Sequence, residues 1–198
     1  MIKNIIFDLG QVLIGFNPLN SLLNMGYPQK EAELLNEIIF NDQLWQDGDA
    51  GVYKSEEEAI NLYINKHPQH HELIKDFFSK EWKKEVFIPI NLDLFQKAKD
   101  NGYKIYLLTN FSSYGFDFVY NEFPFIREAD GRVVSGKIEM IKPHDDIYLY
   151  LLDKFNLKAE ECLFFDDNYD NIEAAKRLGI NAYRFLGNKQ EVLDILDK

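Results

Sequence analysis

Three stretches of the chain share one pattern, a short apolar run that ends abruptly in polar residues. Ile2-Lys3-Asn4-Ile5-Ile6-Phe7 leads into Asp8 and Gly10, Lys104-Ile105-Tyr106-Leu107-Leu108 into Thr109-Asn110, and Cys162-Leu163-Phe164-Phe165 into Asp166-Asp167. Apolar runs of this length, closed by turn-forming or charged residues, predict buried strands. Helical spacing falls between them, over about 92–101 with Gly102 as its cap, over 147–155, and over 171–178 closed by Gly179. Strands alternating with helices predict an α/β fold built on a doubly wound parallel sheet, where ligands bind outside the carboxyl ends of the strands. The polar strand ends are therefore the leading site candidates.

From about residue 16 to residue 89 the pattern changes. Leu34, Leu35, Ile38 and Ile39, then Ala59, Ile60, Tyr63 and Ile64, recur at helical spacing without a convincing strand among them. Loop signals at Asp47-Gly48-Asp49-Ala50-Gly51 and at His67-Pro68 divide the stretch into three or four helices. The expected organisation is an α/β core of residues 1–15 and 90–198 interrupted by a helical cap over 16–89.

Composition narrows the class of function. A chain of 198 residues, 46% hydrophobic and 15% aromatic, fits one α/β domain with a modest insertion. Its 22 basic against 33 acidic side chains give a formal charge of −11, which opposes nucleic acid and anionic lipid. No apolar run is long enough to span a bilayer, and the start lacks the apolar stretch of a signal peptide, so the expected location is cytoplasmic. The single cysteine, Cys162, lies beside Leu163-Phe164-Phe165 and reads as a small buried hydrophobe. The partner expected is a small molecule, bound by a monomer or weak homo-oligomer. If that molecule is an anion, a metal ion, a lysine or aimed backbone N–H groups must overturn the field of the chain.

The strand ends supply such groups. Adjacent like charges at Asp166 and Asp167 are costly without a cation, and with Asp8 they offer the hard oxygen ligands that magnesium prefers. Taken singly, each string has an ordinary reading: Asp8 as a turn cap, Thr109-Asn110 as a helix cap, Asp166 to Asp170 as acids at a helix start. Taken in order, Phe7-Asp8-Leu9-Gly10-Gln11-Val12-Leu13, Leu108-Thr109-Asn110, Lys142-Pro143 and Phe165-Asp166-Asp167-Asn168 resemble the four motifs of the haloacid dehalogenase superfamily.

The resemblance covers essentially the whole chain and implies a Rossmann-like core with a small inserted cap, Mg2+ as cofactor, and hydrolysis of a small phosphorylated metabolite. It implies Asp8 as a nucleophile that becomes an aspartyl phosphate. It also implies Thr109 and the backbone of Asn110 as phosphate-binding groups, and Lys142 as the cation on the phospho-aspartate. Metal binding falls to Asp8, the Gly10 carbonyl, Asp167 and Asp166; the resemblance favours Asp167 as the direct ligand and Asp166 as acting through a water, and the sequence leaves the choice between those two open.

One position departs from the pattern. Most phosphatases of the superfamily carry a second aspartate two residues after the nucleophile as general acid and base, and here that position is Gly10. Glycine has no proton to exchange, a loss of about a hundred- to ten-thousand-fold if nothing replaces it. Asp-Leu-Gly resembles a sugar-phosphatase branch, similar to bacterial glucose-1-phosphate phosphatase, whose anomeric phosphates leave readily. Gln11, Asn17 or a metal-bound water are candidate substitutes. The competing reading is a phosphometabolite-binding or regulatory protein that has lost turnover. A 2-haloacid dehalogenase fits less well, because that chemistry leaves Asp166 and Asp167 without a use. His67, His70 and His71 lack a fourth ligand nearby and are not read as a zinc site.

Overall fold

The computed structural model describes residues 1–197. Seven strands follow in chain order: β1 (Asn4–Phe7), β2 (Ile14–Gly15), β3 (Ile88–Pro89), β4 (Lys104–Thr109), β5 (Gly131–Val134), β6 (Cys162–Asp166) and β7 (Asn181–Arg184). Five of them form a parallel sheet in the order β5-β4-β1-β6-β7, which places the three strands read from the sequence at its centre. Phe7 of β1 pairs with Leu107 of β4 and Phe165 of β6. Asp8, Thr109 and Asp166 therefore emerge together at one edge.

Side-chain alternation sorts the strands into two apolar layers. Ile5, Phe7, Ile105, Leu107 and Phe165 belong to the core on one face. Ile6, Tyr106, Leu108, Cys162 and Phe164 pack on the other, against Ile147 and Leu151 of helix Asp145–Lys154 and Ile172 and Ala175 of helix Tyr169–Arg177. Burying the sheet on both faces is what a parallel sheet requires, and it makes the strand ends rigid.

The chain between β2 and β3 holds six α-helical segments, against the three or four expected: Pro18–Asn24, Gln29–Leu35, Gln43–Asp49, Glu56–Lys66, His71–Ser79 and Trp82–Val86. Gln29–Leu35 continues into a π-helical turn, Asn36–Phe40. Ile14 pairs with Pro89 and Gly15 with Ile88 in a short antiparallel ribbon, so the chain leaves and re-enters the α/β framework side by side. Phe40, Trp45, Phe77, Trp82 and Phe87 make an aromatic cluster that reaches Phe111 after β4. The insertion thus shares one apolar core with the sheet face beneath it.

The loop expected at 47–51 is a helix up to Asp49. Gly48 is helical because its bare Cα makes room for Tyr53: a Cβ there would lie 2.6 Å from the Tyr53 hydroxyl. The turn itself is made by Gly51, whose φ of +79° suits glycine.

Candidate active site

Asp8 follows β1 directly and is held by its backbone, whose N–H donates to the Phe165 carbonyl at 2.9 Å. Its Oδ1 accepts from the Leu9 N–H at 2.7 Å and lies 3.0 Å from Lys142 Nζ. The Lys142 ammonium also donates to Asp166 Oδ2 at 2.6 Å and to the Leu108 carbonyl at 3.0 Å. Its position is set from behind by Asn110. That side chain accepts from the Lys142 N–H at 2.9 Å and donates to the Lys142 carbonyl at 3.0 Å, gripping the backbone of that one residue on both sides of its Cα. Asn110 was expected to act through its backbone alone, and the use of its side chain was not legible from the motif.

Asp166 is 0% exposed and its oxygens are fully engaged. Besides Lys142 they accept from the Asn168 N–H at 2.8 Å and from Asn171 Nδ2 at 3.0 Å. Asp167 is only half-buried and lines the same cavity as Asp8 and Gly10. One carboxylate oxygen from each of Asp8, Asp166 and Asp167 lies within 4.8 Å of the others, the one cluster of potential metal ligands among the described residues. The three histidines of 67–71 are not part of it: His67 pairs with Asp42 at 3.1 Å and His71 with Glu72 at 2.8 Å.

Electrostatics show that this arrangement lacks positive charge. Three carboxylates face one ammonium. Burial, opposed by Lys142 and reinforced by Asp166 and Asp167, pushes the Asp8 carboxyl up to about 7. Asp167 is also raised, by burial and then by the Asp166 charge. Burial alone would lower Lys142, but Asp166 and Asp8 outweigh it and its pKa is raised, so it stays an ammonium. An all-oxygen donor set of this charge suits a hard divalent cation.

At the end of β4 the Thr109 hydroxyl is buried with no hydrogen-bond partner among the described residues. An unmet buried hydroxyl costs roughly 1–3 kcal/mol unless a ligand or water meets it. Gly10 lies beside Asp8 without needing to be glycine. It has no left-handed φ, and the nearest atom to an added Cβ is Asp8 Oδ2 at 4.0 Å.

These groups open into a cavity of about 420 Å³. The sheet edge contributes Asp8, Asn110 and Asp167, and the insertion contributes Phe16, Trp45 and Asp49. Phe16 and Trp45 pack against the apolar core and also form the cavity wall. Asp49 was not singled out by the sequence at all. Burial pushes its carboxyl up to about 7, the Ser112 N–H opposing and the Asp8 charge adding.

The helix end bearing Asp49 is pinned to the core. Ser135 Oγ donates to the Asp49 carbonyl and accepts from the Phe111 N–H at 2.9 Å, while Lys54 Nζ donates to the Gly136 carbonyl at 3.1 Å. Ser135→Ala should strand the buried Phe111 N–H and free the Asp49 turn. The expected loss is about 1–3 kcal/mol, or about 2–12 °C in thermal midpoint for a chain of this size. A midpoint shift below about 1 °C would contradict the clamp.

The family model for haloacid dehalogenase-like hydrolases matches residues 2–179. The chain belongs to this family of hydrolases. A predicted haloacid dehalogenase-like hydrolase of Porphyromonas gingivalis superposes with a TM-score of 0.76 at 24% identity, covering 100% of this chain and 98% of that one. A haloacid dehalogenase family enzyme of Bacteroides thetaiotaomicron, solved in complex with magnesium and inorganic phosphate, gives 0.69 at 20% identity over 95% and 96% of the two chains. Putative phosphatase YhcW of Bacillus subtilis is 24% identical over 91% of this chain and 81% of its own length. Drimenol cyclase drtB of Aspergillus calidoustus is 21% identical over 93% of this chain, which spans only 34% of that larger protein. No helix among the described residues is long and apolar enough to cross a membrane.

Proposed function

We propose that this hydrolase is a magnesium-dependent phosphatase of a small phosphorylated metabolite, working through an aspartyl phosphate on Asp8. The observation that carries the proposal is the convergence of Asp8, Asp166 and Asp167 within 4.8 Å around a single lysine at a cavity mouth. That geometry leaves negative charge for a divalent cation to meet, and it supports Asp8 as the carboxylate that attacks phosphorus. Asp8 and Asp167, with the Gly10 carbonyl, would hold the ion, which when bound supplies an electrophilic anchor for phosphoryl oxygens. Asp166, fully engaged with Lys142, Asn168 and Asn171, orients the lysine and would act on the ion through water.

Phosphoryl transfer depends on positioning and on charge stabilisation more than on covalent assistance from many groups. Lys142 neutralises charge gathering between Asp8 and phosphorus. The unpaired Thr109 hydroxyl and the Asn110 N–H take the phosphoryl oxygens. Residues 16–89 act as the cap that closes over the remainder of the substrate. Its size and its aromatic wall at Phe16 and Trp45, with the polar Gln11 and Asn168 nearby, favour a sugar phosphate whose C–H faces lie on the rings. The lone buried thiol, Cys162, suits a cytoplasmic setting.

A panel of sugar and other metabolite phosphates assayed for phosphate release with and without magnesium tests the reading. Release from at least one, dependent on the metal, is expected; none from any of them would favour a binding protein on the same fold. Asp167→Ala should raise the magnesium concentration for half-maximal rate by at least about tenfold, since the ion has few protein carboxylates to spare. An unchanged magnesium titration would remove Asp167 from the metal site.

A further inference from the structure

Cleavage of a phosphate ester leaves an alkoxide that needs a proton, and the groups lining the cavity restrict its source. Gly10 has none, and Gln11 carries an amide whose Nε2 donates to the Phe16 carbonyl at 2.6 Å. Asn17 caps helix Pro18–Asn24 with its side chain and lies outside this cavity. The titratable side chains on the wall are Asp8, Asp49 and Asp167. On the reading above, the first is the nucleophile and the third holds the metal.

We propose that Asp49, presented by the insertion, is the catalytic proton donor and acceptor that stands in for the absent acid at position 10. Asp49 lines the wall made by the insertion, whereas Asp8 lines the wall made by the sheet edge, and in-line displacement sends the leaving oxygen away from Asp8. Its backbone is fixed to the core through Ser135, so the carboxyl is held rather than carried on a loose lid. The groups whose charge couples to it are Asp8, Tyr53 and Tyr114, none of which supplies a cation to hold it ionised.

The chemistry closes. An Asp8 oxygen bonds to phosphorus as the bond from phosphorus to the leaving oxygen breaks, and the Asp49 proton moves to that oxygen to give the alcohol. The Asp49 carboxylate then takes a proton from water as the water oxygen attacks phosphorus. The bond from Asp8 to phosphorus breaks, inorganic phosphate departs and Asp49 is again protonated. One ester and one water give one alcohol and one phosphate.

The inference rests on the phosphatase reading, and single-turnover and steady-state rates on an aryl and an alkyl phosphate, with magnesium, separate the two. In Asp49→Asn the first transfer from the alkyl ester should fall by about a hundred- to ten-thousand-fold. Transfer from the aryl ester, whose leaving group needs little protonation, should fall by less than about tenfold. Phosphorylated protein should then accumulate, because the second step has lost its base. Asp49→Ser should give the same split, which keeps the test open if the amide variant is unstable. Adding Gly10→Asp to Asp49→Asn should recover at least about tenfold of the alkyl rate, since position 10 has space for the side chain. Equal losses on both esters without accumulated phosphoprotein, or wild-type rates in both variants, would overturn the role of Asp49. Failure of the wild-type protein on every ester would instead overturn the phosphatase reading and the inference with it.

Discussion

Asp8→Asn should lower turnover by at least about a thousandfold while leaving the thermal midpoint unchanged or raised. An amide oxygen cannot act as the attacking carboxylate, and variants lacking the nucleophile lose rates of this order in enzymes that pass through a covalent intermediate. On the proposed reading the same change removes one metal ligand, so the magnesium titration should weaken together with the rate. Stability should move the other way. Asp8 shares Lys142 with Asp166 and lies in one carboxylate cluster with Asp166 and Asp167, and a neutral side chain of the same shape relieves part of their repulsion. Residual hydrolysis above a tenth of wild type would exclude Asp8 as the nucleophile.

Lys142→Met should cause the largest loss of stability. The lysine is 3% exposed, between Asp8 at 3.0 Å and Asp166 at 2.6 Å, and its removal leaves two buried carboxylates without their cation. Breaking a buried pair from one side costs about 3–5 kcal/mol, or about 6–20 °C in midpoint for a chain of this size. The pH dependence gives the cause away. Asp8 already has a folded pKa of about 7 against an ordinary 3.8, so what protonated Asp8 adds to stability is complete below about 4 and is lost as the pH rises through 7. Without Lys142 that pKa rises further. The deficit of the variant relative to wild type should therefore widen between pH 5 and pH 8 in metal-free buffer. A deficit that is the same at both values would mean lost packing, not lost charge.

Both predictions concern residues whose placement is legible in the sequence. β1, β4 and β6 are central strands buried on both faces, so their apolar runs are unbroken until the site residues begin, and periodicity alone marks where each ends. β5 and β7 escaped because edge strands tolerate polar residues. Arg132 in β5 turns its guanidinium to the carbonyls of Ile126, Arg127 and Ala129, and Asn181 in β7 bonds the carbonyls of Glu160 and Cys162. β2 and β3, two residues each, are too short to carry a pattern.

The insertion was readable as helical but not in its detail. Gly48 and Gly51 gave one composite loop signal, although the first serves the packing of Tyr53 inside a helix and only the second makes the turn. That ambiguity concealed Asp49. An aspartate in an Asp-Gly-Asp-Ala-Gly string looks like loop chemistry, and its place beside the cavity is secured by a tertiary contact with Ser135, 86 residues away. Asn110 was hidden for a similar reason, since its grip on Lys142 joins residues 32 apart.

The covalent intermediate on Asp8 is the claim from which the other roles follow. Mixing the wild-type protein with magnesium and an aryl phosphate, quenching in acid within one turnover and mapping the phosphoryl group by mass spectrometry tests it most directly. The expected result is a phosphoryl adduct on the peptide bearing Asp8, formed and lost at rates that account for turnover. Phosphate release with no adduct at Asp8, or with the adduct on another residue, would contradict the account.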